Sequence, residues 1–386
     1  MTSASASAGE KGPAQEPNAA ETAARRAREL KTVTSAPFCA ETPLDRLDSW
    51  ITPNDRFFVR SHFDVPTLDI ASWRLRVDGE VDRPFEISFE EIRRKPTRTV
   101  VTTMECAGNG RSSVYPPAQG VRWHNGALGT ARWTGVSLWE VLGPAEIRPT
   151  AIEAVFEGAD HGREADVPEE LSYAMSVPIV KAEHPDTLLA FEMNGEPLTP
   201  SHGFPVRVIV PDWYGMASVK WVTRISLIDH SFRGYFRTKP YTFIHEGDDP
   251  NVLRKPVTSL QVKSVVTWPA EGAVLPTGRH TIRGAAWSGG IPVSKVEVAV
   301  GLPEDSGGTA PWIVAKILGP ETPHAWVRWE AEVDFPRAGH FVLRTRATDE
   351  RGDVQPLRAD WNFRGVANNS MHAIPLIIRA EPPRPA

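Results

Sequence analysis

Thirty-five prolines and 29 glycines are spread through the 386 residues, and they limit what the chain can become. Proline removes a backbone donor and fixes φ, and glycine favours turns, so few stretches are long enough for a helical bundle. With 13 tryptophans to fill cores, the pattern predicts many short strands joined by fixed turns. Hydrophobic residues make up 41% and charged residues 24%, which fits a globular chain whose length divides most naturally into two domains. A net charge of -5 argues against a nucleic-acid partner, which needs a basic surface. No run of 18 apolar residues is present, so no membrane span is expected.

Residues 1–35 read as a disordered tail and a short helix, small, polar and charged. Arg25 and Arg26 suggest a twin-arginine signal, but no apolar segment follows, so a cytoplasmic location is expected. Residues 36–250 mix strand and helix signals and predict an α+β domain. "WRLRVDGEV" (73–81) alternates like a half-buried strand, and "SFEEIRR" (88–94) opens with a Ser88/Glu91 capping box. "TGVSLWEVLG" (134–143) predicts a short amphipathic helix stopped by Gly143, and "FPVRVIVP" (204–211) a buried strand. A polar connector, "GDDPNVLRKPVTS" (247–259), separates this region from a second one, 256–380, whose strand-like runs at 280–287, 294–300, 326–335 and 340–349 predict an all-β immunoglobulin-like sandwich.

The chemistry concentrates in a few places. The two cysteines, Cys39 and Cys106, are too few for a disulfide framework or a thiolate cluster, and no C-x-x-C-H motif for covalent haem occurs. In "TTMECAGNGR" (102–111), glycines 108 and 110 let the backbone approach a bulky group, Asn109 tolerates a left-handed conformation, and Arg111 favours a thiolate at Cys106. That thiolate suits a nucleophile and a soft metal ligand equally. "RFFVRSHF" (56–63) sets Arg60 and His62 on one side of an extended segment, as an anion site or a solvated strand. His202, Arg207 and Lys220 surround a buried strand in "SHGFPVRVIVPDWYGMASVKW" (201–221), and Asp160 sits in the acidic turn "GADHG" (158–162). Tyr241 in "KPYTF" and Arg364 in "WNFRGV" read by themselves as structural.

Taken in order, "FFVRSH", "TTMECAGNGR", "GVRWHNGALGTARWTG", "LLAFEMNGEPL", "SHGFPVRVIVP", "SVKW", "KPYTF" and "WNFRGV" resemble the sulfite oxidase family of molybdenum enzymes, from about Pro37 to about His372. The resemblance implies a molybdopterin-binding α+β domain followed by an immunoglobulin-like domain that dimerises. It makes Cys106 the thiolate ligand of molybdenum, where soft sulfur suits the metal. It places Arg60, Arg111, Trp123, Tyr241 and Arg364 around the substrate, their guanidinium groups matching a small oxyanion. Phe58, Arg60, His62, Asp160, His202, Arg207, Ser218 and Lys220 would hold the pterin and its phosphate.

The implied reaction is oxidation of sulfite to sulfate by oxygen-atom transfer on Mo-molybdopterin, in a homodimer. With no haem in this chain, electrons would pass to a separate acceptor such as a cytochrome. Alternatives are a related molybdoenzyme acting on sulfane sulfur, nitrate or a sulfoxide, or a cofactor-free partner-binding scaffold. The sequence departs from the family at Gly110, where many members carry a second arginine, at Met371 and Ala373, and in the lengthened stretch 298–312.

Overall fold

The computed structural model of the protein describes residues 29–245, 247–249, 254–303, 310–319 and 322–380. The first 28 residues of the expected tail lie outside them, and Lys31–Ser35 is a strand. The N-terminal region is built on three sheets. The first pairs Lys31–Ser35, Phe38–Glu41 and Val59–Arg60. The second runs Glu196–Pro197, Leu188–Met193, Leu128–Ser137 and Thr97–Glu105, with Arg207–Ile209 added on Leu188–Met193. The third runs Phe85–Ser88, Arg74–Gly79, Val222–Ile228, Glu153–Gly162 and Leu171–Pro178, and its Arg74–Gly79 and Val222–Ile228 are parallel.

Alternation fixes the faces: in Arg74–Gly79, Leu75 and Val77 are buried while Arg74 and Arg76 are exposed. The Ser88/Glu91 capping box is present in full and opens the helix Phe89–Arg93. The helix expected at 134–143 is shorter. Thr134 to Ser137 finish the strand Leu128–Ser137, which is paired on both sides, and only Leu138–Leu142 is helical. Thr134 and Val136 are β-branched and lie between two partner strands, where pairing outweighs the amphipathic pattern. Gly143 is right-handed and leads into a 3-10 turn, so it does not act as a left-handed stop.

From residue 263 the chain is β-rich. One sheet orders Lys263–Trp268, Gly278–Trp287, Val327–Phe335 and Lys316–Leu318, and the other Val274–Pro276, His372–Arg379, Gly339–Asp349, Val293–Gly301 and Ile313–Val314. Side chains from both, among them Ile282, Trp329, Val298 and Leu343, share one apolar core. Of the lengthened hairpin, residues 304–309 lie outside the description. The two regions are also joined by core: Val265, Trp287 and Trp326 belong to the N-terminal apolar cluster. Trp50 and Trp326 each donate an indole N–H to the other's carbonyl, at 3.2 and 2.8 Å. No helix among the described residues is long and apolar enough to cross a membrane.

Candidate active site

Cys106 leaves the end of the strand Thr97–Glu105, its N–H donating to the Ala127 carbonyl at 2.9 Å, and the chain turns back at once as the Asn109 N–H donates to Cys106 O at 2.9 Å. The turn needs its glycines. Gly110 has φ 82°, and a Cβ on Gly108 would stand 2.4 Å from an Arg111 guanidinium nitrogen. Asn109 is not the left-handed residue that the sequence suggested. It is buried and spends its amide on bracing, donating from Nδ2 to Glu105 Oε1 at 2.9 Å and accepting from Ala127 N–H at 3.0 Å.

Cys106 opens onto a cleft enclosing about 630 Å³ of space, solvent at the mouth included. Phe58, Arg60, His62, Tyr241 and Cys106 share this cleft with Asp160, His202, Arg207, Ser218 and Lys220, which come from distant parts of the chain. Arg111, Trp123 and Arg364 do not line it. Trp123 is fully buried in the apolar cluster that contains Cys106 and Phe58. Arg111 packs beneath the cysteine loop, donating to the carbonyls of Arg364 at 2.7 Å and Val121 at 2.9 Å. The half-buried Arg364 guanidinium reaches Gln119 Oε1 at 3.5 Å.

The electrostatics differ from the sequence expectation at one point. Burial pushes the Cys106 thiol up, and the charges of Arg60 and Arg111, with a backbone bond from Gly108, reduce this without reversing it. The arginines alone do not make a thiolate; coordination to a metal would displace the proton. His62 is held well below its ordinary value by burial, then by Arg60 and Lys220. Its Nε2 lies 2.6 Å from the Tyr241 hydroxyl, whose pKa burial pushes up to about 12. Both groups are therefore neutral near pH 7.

At the other end of the cleft positive charge is in excess. Arg207 is buried, donates to the carbonyls of His202 and Ser218 at 3.1 and 3.0 Å, stacks over Trp133 at 4.8 Å, and is lowered to about 9 by burial. Lys220 donates to Ser61 Oγ at 3.1 Å and Ser201 O at 3.0 Å, and burial followed by Arg207 brings it down to about 7. Ser218 Oγ accepts from Val210 N–H at 3.0 Å, and His202 Nδ1 lies 3.1 Å from Thr199 Oγ1. Arg207 Nε and Asp160 Oδ1 are buried without a hydrogen-bond partner. Two cations close to one acid, with an orphaned donor and an orphaned acceptor, fit a ligand that carries an anionic group and a hydrogen-bonding ring. A phosphorylated pterin is such a ligand, and these residues fit it.

Several lining residues escaped the sequence reading: Ser61, Ser201, Tyr173, Met216, Trp221 and Phe57. Ser61 and Ser201 each precede a cleft histidine in a Ser-His pair, a signal that could have been used. Tyr173, stacked on His62 at 4.3 Å with its hydroxyl on Met216 O at 2.8 Å, looks in sequence like any strand residue. Cys39 lies opposite Arg60 in the first sheet and has no local signature.

Residues 62–236 match the model of the oxidoreductase molybdopterin binding domain, and residues 254–379 that of the Mo-co oxidoreductase dimerisation domain. The protein is thus an enzyme of the molybdopterin-dependent oxidoreductase class. It is 37% identical over 363 residues to sulfite oxidase of Gallus gallus, covering 89% of this chain and 77% of that one. It is 36% identical over 369 residues to mitochondrial sulfite oxidase of Mus musculus, covering 89% of this chain and 65% of the other. Inducible NADH nitrate reductase 1 of Glycine max is 34% identical over 380 residues, 89% of this chain and 42% of the other. The solved sulfane dehydrogenase SoxCD of Paracoccus pantotrophus superposes with a TM-score of 0.76 at 29% identity, covering 96% of this chain and 92% of that one. The chain belongs to the sulfite oxidase family of molybdenum-cofactor enzymes. It spans a little under two thirds of the mouse enzyme and less than half of the nitrate reductase.

These matches set aside the cofactor-free scaffold. They also correct the expected cytoplasmic location, because the matching sulfite oxidases of mouse, macaque, rat, human and fly are mitochondrial by name. The missing apolar segment after Arg26 spoke only against signals that need one, and transit segments do not.

Proposed function

We propose that this enzyme transfers an oxygen atom at a small oxyanion, with sulfite oxidised to sulfate as the leading reaction. The observation that carries the reading is the Arg60 guanidinium on the wall of the Cys106 cleft, with Arg111 and Arg364 packed beside the same loop. Arg60 is charged at any working pH and, among the described residues, is not paired with a carboxylate, so its charge is free to meet an anion. When bound, the molybdenum centre supplies the two-electron chemistry and the transferable oxygen. Cys106 would hold the metal. Phe58, His62, Asp160, His202, Arg207, Ser218 and Lys220 would seat the pterin, with Arg207 and Lys220 at its phosphate.

Tyr241, protonated and bonded to His62, would donate a hydrogen bond to a substrate oxygen, and Trp123 would pack behind the loop to exclude water. We infer that 36–250 forms the catalytic domain. We further infer that the two β-rich sheets of 256–380 face each other as an immunoglobulin-like sandwich, through which the chain dimerises. Electrons would leave to a separate acceptor, a cytochrome being the natural kind.

A second reading, oxidation of sulfane sulfur, is favoured by the near-complete mutual coverage with the sulfane dehydrogenase. Steady-state assays separate the two. Sulfite with ferricyanide is expected to turn over, and Cys106→Ser to lose at least about 10³-fold in kcat, the scale seen when a group central to catalysis is removed. Turnover of a protein-bound sulfane with no rate on sulfite would overturn the leading reading in favour of the second.

A further inference from the structure

We propose that Lys263, from the β-rich region, is a positioning residue for the Cys106 loop, acting through a buried ion pair with Glu105. The inference rests on the reading that Cys106 holds the metal. Glu105 and Lys263 are each 1% exposed and are joined at 2.8 Å, across 158 residues of sequence. The same carboxylate accepts from Asn109 Nδ2 on one oxygen and from Trp287 Nε1, at 2.9 Å, on the other. Lys263 completes its bonds on the carbonyl of Asn368 at 2.8 Å, and the Asn368 amide donates to Gly110 O at 2.9 Å. Three residues of the β-rich region thus bond positions 105 and 110, on both sides of Cys106, and reach position 109 through Glu105.

A bare carboxylate immediately before the metal-binding thiolate would oppose the field of Arg60 and Arg111. Lys263 cancels that charge and fixes where the loop lies. A purely structural pair would move stability alone, whereas a positioning pair moves the spectroscopy of the centre as well.

The test uses the molybdenum-loaded full chain. Lys263→Met is expected to lower kcat about 10-fold or more, the range for partners one step removed from a metal ligand, while KM for sulfite stays within about two-fold. The g-values of its Mo(V) EPR signal, recorded after reduction by dithionite and so whatever the substrate, are expected to shift. Lys263→Arg is expected to restore both. If Lys263→Met does not fold, Trp287→Phe removes one donor to Glu105 while keeping most of the ring volume, and the same EPR shift at full molybdenum content is expected. A folded variant of either kind with the parent signal and the parent kcat overturns the proposal. X-ray absorption of the unaltered enzyme serves as the separate check: no cysteine sulfur at molybdenum would remove the Cys106 reading itself.

Discussion

Lys263 and Lys220 are both withdrawn from solvent near Cys106, yet their surroundings are opposite. Lys263 has a carboxylate partner, a carbonyl, and neighbours whose polar atoms are all in use. Lys220 has a hydroxyl and a carbonyl, a second cation close by in Arg207, and an acid, Asp160, with one oxygen left over. The first group is balanced by the protein itself and shapes the loop. The second is balanced only when something anionic is added. The difference teaches that burial of charge does not mark a binding site. What marks one is buried charge the fold does not compensate.

The sharpest way to break this comparison is to remove each amine from the cofactor-free full chain and follow urea unfolding. Lys263→Met leaves Glu105 buried and unpaired, so a loss of about 3–5 kcal/mol is expected. Lys220→Met removes an uncompensated cation and should leave stability within about 1 kcal/mol of the parent or raise it. Equal losses in the two variants would mean that the cleft is as self-sufficient as the loop brace.

Acid and base should separate the same two regions, with a smaller effect. His372 sits on the balanced side, accepting at Nδ1 from Val266 N–H at 3.0 Å. Burial and then the charge of Lys263 push its pKa down to about 4 from 6.5. The unfolded ring takes up a proton first, so stability is full above pH 6.5 and falls as the pH drops towards about 4, by about 1.4 kcal/mol per pH unit. Asp160 works the other way. Burial raises its carboxyl to about 6 from 3.8, against the pull of Lys220, so its contribution is full below 3.8 and is lost as the pH rises through about 6. The two windows overlap and their slopes oppose, so between about pH 4 and 6 thermal melts of the cofactor-free chain should show His372→Asn becoming less stable, relative to the parent, as the pH rises, and Asp160→Asn becoming more stable. Parallel slopes in both variants would sink the assignment.

How much of this was legible follows from the range of each interaction. The capping box at Ser88 and the turn glycines at 108 and 110 are local, and they stand where the residues placed them. Arg60, His62, Cys106, Arg207 and Lys220 were readable as candidates, but nothing local says that they share one cleft. Only the order of the motifs tied them together. Asn109 was misread because its amide serves Ala127, just before the strand Leu128–Ser137, and Glu105, at the end of the strand Thr97–Glu105. The Glu105–Lys263 pair could not be read at all. A lysine in the strand Lys263–Trp268 looks solvent-facing until the two regions pack together. Likewise, the strand Leu128–Ser137 overrode the helical pattern at 134–137 because its partners come from elsewhere in the chain.

The finest distinction concerns Ser61, which the sequence reading passed over. Its hydroxyl accepts from Lys220 Nζ at 3.1 Å, and its carbonyl receives the Arg60 guanidinium, so one residue touches both the Lys220 end and the Arg60 end of the cleft. Ser61→Ala removes the hydroxyl and leaves the carbonyl. Lys220 keeps Ser201 O, and the net loss should be that of a single hydrogen bond to a charged group, about 1.5 kcal/mol, or roughly 10-fold in cofactor retention. Timed molybdopterin loss from purified enzyme measures it, with KM for sulfite as the control expected to stay fixed. If KM moves while retention does not, Ser61 serves the substrate through Arg60, and the uncompensated region extends further towards Cys106 than the Lys220 cluster alone implies.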